Sequence, residues 1–341
     1  MPRQQPGEHS VYQRTDALEL MDHFEDCSEP WLGSPTAQSM IQAYGIQQGL
    51  QSPYLLHAIL AYSASHLGHL HPDEKKYGEA ARTHFTRSLQ AYSTELVYEL
   101  ERGNANALLA ASGLLAKLSF INTPVLSGDA ASPPATVPPW VRSMQGVRTI
   151  MCTPALRKQL LSGPYKKVGE FYFGHVDPSS AATSTLEPLS EPARLMNLLK
   201  KSCGLVGDFA ATTNTTTTTA NWKLYAAALA RLEAVMLTDL THDSVDQMLS
   251  FIGTLEPSFL DLLAAGDERA LLILAFWCAR LGRIAQWWTR PSAVAECRRI
   301  SAILAKSPDP EVQVLRAFPA AFCGYEGRAR EQLPSPPSEE G

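Results

Sequence analysis

The side chains with the widest chemical reach in this sequence are a run of histidines, His57, His66, His69 and His71, with Asp73 close behind. His66, His69 and Asp73 fall at spacings that line one helical edge, and imidazole with carboxylate is a donor set for a transition metal. His71, however, stands before Pro72 at a helix boundary, which leaves its direction unfixed. A metal site also needs partners that hold the ligating rings in place, and none can be named from spacing alone. These histidines are therefore read as capping and core-packing residues, and no metal or cofactor is assigned. Bond-making machinery is equally hard to assemble. The sequence has no Gly-x-Ser-x-Gly, phosphate-cradling loop, dinucleotide fingerprint or His-Glu-x-x-His, so no catalytic residue is named. Glu99 and Glu101 form an acid cluster on a long helix and are expected to face water.

A second set invites a binding reading. Phe276, Trp277, Arg280, Trp287 and Trp288 place large rings near a cation, and rings between helices can line a pocket for a lipid-like molecule. The same rings can simply fill space in a core.

The elements that must position these groups are helices. Ser52 before Pro53 is a helix start, with the serine oxygen expected to accept from an orphan amide. Leu56, Ile59, Leu60, Leu67 and Leu70 recur at three and four residues. Tyr77, Ala81, Phe85, Leu89, Tyr92 and Leu96 keep the period in a second helix that ends at Gly103 and Asn104. Ala107, Leu108, Ala111, Leu114, Leu115 and Leu118 carry a third. Short connections make antiparallel neighbours of the three. Further helices are expected at 140–151, 154–161, 192–209, 224–240, 242–255, 257–265 and 294–304. One from Asp267 to Trp288 is apolar nearly all round, broken by Pro291, and should run through the middle of a helical layer. The fold class is all-α, a multi-helix bundle of amphipathic helices with disordered insertions. A single domain spans 17–326, with a polar leader at 1–16, a proline-rich loop at 123–139, a threonine-rich insertion at 211–221 and a polar tail at 327–341. Phe171, Tyr172 and Phe173 are expected to fold back onto the core.

Composition narrows the function classes. With 29 basic and 34 acidic residues the formal net charge is -5, which gives no electrostatic footprint for a nucleic-acid backbone. Arg142, Arg148, Arg157, Lys158, Lys166 and Lys167 read as a solvated face. The six cysteines lack the short spacings of a zinc site. The longest apolar run, Leu271 to Ala279, is too short for a bilayer, so no membrane partner is expected.

The order and spacing of several segments carry a resemblance. Ala17 to Phe24, Pro53 to Leu67, Tyr77 with Ala80, Ala81 and His84, Asn106 to Ser112, and Trp140 to Ile150 together resemble the regulatory domain of the fungal zinc-cluster transcription factors, in the sterol-uptake regulator branch. The resemblance implies transcription regulation in the nucleus, other transcription regulators as partners, and an apolar small-molecule ligand in the C-terminal helices, in a sterol or secondary-metabolite setting. The ring set at 276–288 is the region where that ligand is expected. Sixteen cysteine-free residues precede the match, whereas the family places a zinc cluster there, so direct DNA binding is not expected of this chain. The alternative is an enzyme or carrier of a secondary-metabolite pathway built on the same scaffold, with cytoplasmic rather than nuclear residence.

Overall fold

A computed structural model describes residues 8–27, 31–122, 137–167, 170, 191–205 and 216–325. Every regular element among them is helical. In chain order they are α1 (Glu8–Asp26), α2 (Pro35–Gly49), α3 (Pro53–Leu70), α4 (Lys75–Arg102), α5 (Ala105–Ile121), α6 (Pro139–Cys152), α7 (Pro154–Ser162), α8 (Glu191–Ser202), α9 (Thr216–Leu237), α10 (Val245–Thr254), α11 (Pro257–Ala264), α12 (Glu268–Leu281), α13 (Thr289–Leu304) and α14 (Pro310–Cys323). A 3-10 turn, His242–Ser244, leads into α10. The all-α expectation therefore holds.

The helix ends follow from local chemistry. Pro35, Pro53, Pro139, Pro154, Pro257 and Pro310 all sit in first turns, where a missing N–H costs nothing. Gly103 closes α4 in the left-handed region with φ 75°, a conformation that costs glycine nothing. Ser52 does precede α3, but its hydroxyl makes no cap bond. It accepts instead from Asn104 Nδ2 at 3.3 Å, tying the start of α3 to the start of α5.

α3 packs along α4, and α5 lies against α2, α3, α4 and α6. α12 is the second centre. All of its residues from Ala270 to Ala279 are buried, and it touches α9, α10, α11, α13 and α14. Trp140 of α6 stacks on Trp277 of α12, with centroids 5.6 Å apart and planes at 14°. Phe120 of α5 meets Trp140 edge-on at 4.8 Å. One continuous apolar core thus joins the first three-helix unit to the C-terminal third.

Several boundaries differ from those expected. α1 starts at Glu8, so half of the anticipated leader is helix; its polar residues simply carry no periodic signal. α9 starts at Thr216, inside the anticipated insertion. α12 stops at Leu281 rather than Trp288, because the chain turns at Gly282, where a Cβ would lie 2.3 Å from Phe322 Cζ and 2.9 Å from Ala293 Cβ. Pro291 does not break a helix but stands in the first turn of α13. α14 was not foreseen; Asp309 caps it by accepting from Glu311 N at 2.9 Å, and Pro319 inside it masks the pattern. Residues 1–7, 123–136, 211–215 and 327–341, the anticipated helix end at 206–209, and Phe171 to Phe173 lie outside the described residues. No helix among the described residues is long and apolar enough to cross a membrane.

Candidate functional site: an apolar cavity with a charged end

A short link, Trp31 to Ser34, joins α1 to α2 and is pinned from many directions. Gln38 Oε1 accepts from Trp31 N and Leu32 N, at 2.9 and 3.2 Å. Tyr62 of α3 and Trp287, ahead of α13, both donate to Trp31 O, at 3.0 and 3.1 Å. Gln286 Nε2 donates to Gly33 O at 3.3 Å. Lys117 of α5 donates to Leu32 O at 2.6 Å. Backbone groups with no helix to satisfy them are thus paired one by one.

Lys117 is the lone charge in α5 and is buried. Its Nζ lies 3.6 Å from Asp246 Oδ1 of α10. Asp246 Oδ2 accepts from Ser34 N at 3.1 Å and from Ser34 Oγ. This pair has room only because residue 33 is glycine. A Cβ there would lie 2.8 Å from Lys117 Nζ and 2.9 Å from Asp246 Oδ1. Burial beside Asp246 also pushes the Tyr62 phenol well above its ordinary value, desolvation being the larger cause.

Beside the pair opens a cavity of about 560 Å³. α2, α5, α6 and α10 build its walls, with Ile41, Leu109, Ala110, Met144, Val147 and Leu249 giving an apolar lining. Gly113 widens it: a Cβ there would meet nothing within 4 Å. The linked Ser34, Lys117 and Asp246 stand together on its wall, with Asp243, Tyr165 and Lys167 also lining it. A mostly apolar hollow of this size with a few convergent polar groups suits one small organic molecule.

The ring set expected to bind a ligand does not line this cavity. Phe276, Trp277 and Trp288 are buried core. Trp277 Nε1 donates to Met248 O at 2.7 Å and so holds α10, whose Asp246 and Leu249 face the hollow. Phe276 packs on Phe318 at 5.2 Å, and Trp288 meets Phe120 edge-on at 6.1 Å. Arg280 donates to Thr238 O at 2.6 Å, and burial lowers its pKa from the usual guanidinium value. Trp287 secures the 31–34 link. Of the set, Trp277 and Trp287 thus hold parts of the cavity's frame, and the others pack in the core beyond it.

Other residues also fall elsewhere than expected. Glu99 does not face water. It is buried, accepts from Tyr54 OH at 3.1 Å and from Asn104 Nδ2, and joins α3, α4 and α5, while Glu101 is exposed. Arg148 is not a free basic residue, since it donates to Leu255 O at 2.9 Å and pairs with Glu256 at 3.3 Å. His57 Nδ1 lies 3.0 Å from His84 Nδ1, and the His69 ring packs tilted against Trp287 at 5.4 Å, so neither is brought together with Asp73 around an ion. Lys117 and Asp246 escaped the sequence reading. The available signal was a single lysine inside an otherwise apolar helix, which has to find a partner once buried.

The sequence is similar to those of fungal transcription factors. Residues 19–151 match the family of the fungal specific transcription factor domain, a match that covers the C-terminal part of α1, α2 to α5, and α6 up to its last residue. A Zn(2)-C6 fungal-type transcription factor of Gibberella zeae is 26% identical over 295 residues, covering 82% of this chain and 56% of that relative. The chain thus spans little more than half the length of that relative. Both likenesses are to fungal transcription factors, the direction in which the resemblance in the sequence points.

Proposed function

We propose that this chain is the effector body of a fungal transcription regulator and that its cavity holds an apolar small molecule with one polar end. The regulatory role rests on the likeness of residues 19–151 to the fungal specific transcription factor domain and on the Zn(2)-C6 relative. The binding role rests on one observation: an apolar hollow of about 560 Å³ whose wall carries the linked Lys117–Asp246 pair. A sterol, terpenoid or polyketide with a hydroxyl or carbonyl matches that lining, with apolar burial providing affinity and the charged pair fixing direction.

Binding shifts a regulator only where two conformations take the ligand unequally. The cavity walls come from four helices that the 31–34 link and the Lys117–Asp246 pair hold in register, so occupancy acts on their spacing. Nuclear residence, regulator partners and a sterol or secondary-metabolite setting belong to the same reading.

Native mass spectrometry of the purified chain with a panel of these three compound classes tests the binding role. A one-to-one adduct is expected, and Ala116→Phe, which fills the hollow, should abolish it while thermal unfolding stays cooperative. No adduct with any class, or an adduct unaffected by Ala116→Phe, removes the proposed cavity function. Fusion of the chain to an unrelated DNA-binding module should change reporter transcription in fungal cells; no change would remove the regulatory half.

A further inference from the structure

At the C-terminal end of α1, three metal-ligating side chains meet. His23 Nε2 lies 3.0 Å from His66 Nδ1 of α3, and with Cys27 Sγ all three ligand atoms lie within 4.8 Å of one another. We propose that His23, Cys27 and His66 form a zinc(II) site that fastens the end of α1 to α3.

The spacing His-x-x-x-Cys sets two donors one helical turn apart on one edge, and the third comes from a helix that α1 already packs against. Tetrahedral zinc, with bonds of about 2.0 Å to nitrogen and about 2.3 Å to sulfur, has edges of about 3.3 Å between nitrogens and about 3.6 Å from nitrogen to sulfur. The two rings already stand near the first distance. The thiol lies just past the helix end on a half-buried residue, with its sulfur within 4.8 Å of both ring nitrogens.

Proton bookkeeping is simple. The facing ring nitrogens share one proton, which moves to the other nitrogen of its own ring and frees two lone pairs for the ion. Cys27 releases its proton to solvent.

The surroundings hold the ligands in place. His66 stacks on Trp31 with centroids 4.8 Å apart and planes at 22°, and Trp287 flanks it at 5.2 Å. Cys27 O accepts from Gln38 Nε2 at 3.3 Å and from Gln42 Nε2 at 2.9 Å, which fixes the backbone that carries the thiol. Such outer partners are what orient a metal's ligands. Three protein groups leave the fourth position to water.

The test uses the whole chain, stripped with a chelator and titrated with cobalt(II), then zinc(II). One equivalent of cobalt should give the intense visible bands of a tetrahedral ion and a thiolate charge-transfer band, and zinc should displace it one for one. Cys27→Ser should remove the charge-transfer band and weaken zinc binding about tenfold or more, and His23→Asn should weaken it comparably. Cys152→Ser, at an exposed thiol, should change neither. A pale octahedral spectrum, a thiolate band that survives Cys27→Ser, or binding that follows Cys152 would overturn the assignment. The wild-type spectrum keeps the test decisive even if a ligand variant folds poorly.

Discussion

Replacing Lys117 by methionine keeps most of the side-chain volume and removes only the charge and its donors. Two groups then lose a partner. Leu32 O forfeits a 2.6 Å bond, and an unpaired buried carbonyl costs about 1–3 kcal/mol. Asp246 loses a cation 3.6 Å away, a gross attraction of about 4–5 kcal/mol at an effective dielectric of about 20. Much of that attraction only offset desolvation, and Asp246, with its side chain 23% exposed and Ser34 still donating to it, recovers part from water. The expected destabilisation is about 3 kcal/mol, or a fall in Tm of roughly 6–12 °C at about 2–4 °C per kcal/mol for a body of this size. Asp246→Asn should cost less, because Lys117 keeps Leu32 O. Thermal and urea unfolding of both singles and the double then measure the coupling, expected at about 1–3 kcal/mol. A Tm within about 2 °C of wild type for Lys117→Met, or strict additivity in the double, would refute the pair as the fastening of the 31–34 link.

Gly33→Ala pushes a methyl between the same two groups, and a loss of about 1–3 kcal/mol is expected in chemical denaturation; an unchanged midpoint would show that the contact relaxes freely. Gly78→Ala in α4 and Gly146→Ala in α6 point a methyl into open space and should each raise stability by about 0.5–1 kcal/mol, read as a higher Tm. Burial holds His84 at about 4 and lowers His57, so the unfolded chain binds protons below pH 6.5 that the folded pair refuses. Their contribution is complete above pH 6.5 and is lost as pH falls toward 4; His84→Gln should flatten the Tm profile between pH 6.5 and 4.5, with a remaining slope from His23 and His66, and an unaltered profile would contradict the assignment.

Helix periodicity was legible because each apolar stripe is local: α3, α4 and α5 could be placed from residues a turn apart, and Gly103 marked an end by its own conformation. The candidate site was not legible, because its members meet only after the chain has closed. Lys117 sits in an apolar helix and Asp246 at the start of another, with nothing in either segment announcing the other. Glu99 shows the same limit. On its own helix it reads as a solvated acid, yet Tyr54 and Asn104 arrive from neighbouring helices and make its burial tolerable. The aromatics at 276–288 read equally as pocket lining or as core filling, because spacing says nothing about whether a ring faces a hollow or packs behind it.

The manner in which Trp31 to Ser34 is secured bears on dissection of the molecule. Residue 151, where the family likeness stops, is a tempting place to cut, yet the indole and the amide that clasp Trp31 O and Gly33 O, and the carboxylate that answers Lys117, all lie downstream of it. A fragment ending there would carry an orphaned ammonium and an uncovered Trp140. The two pieces made together in one cell should find each other, whereas the first piece made alone should precipitate.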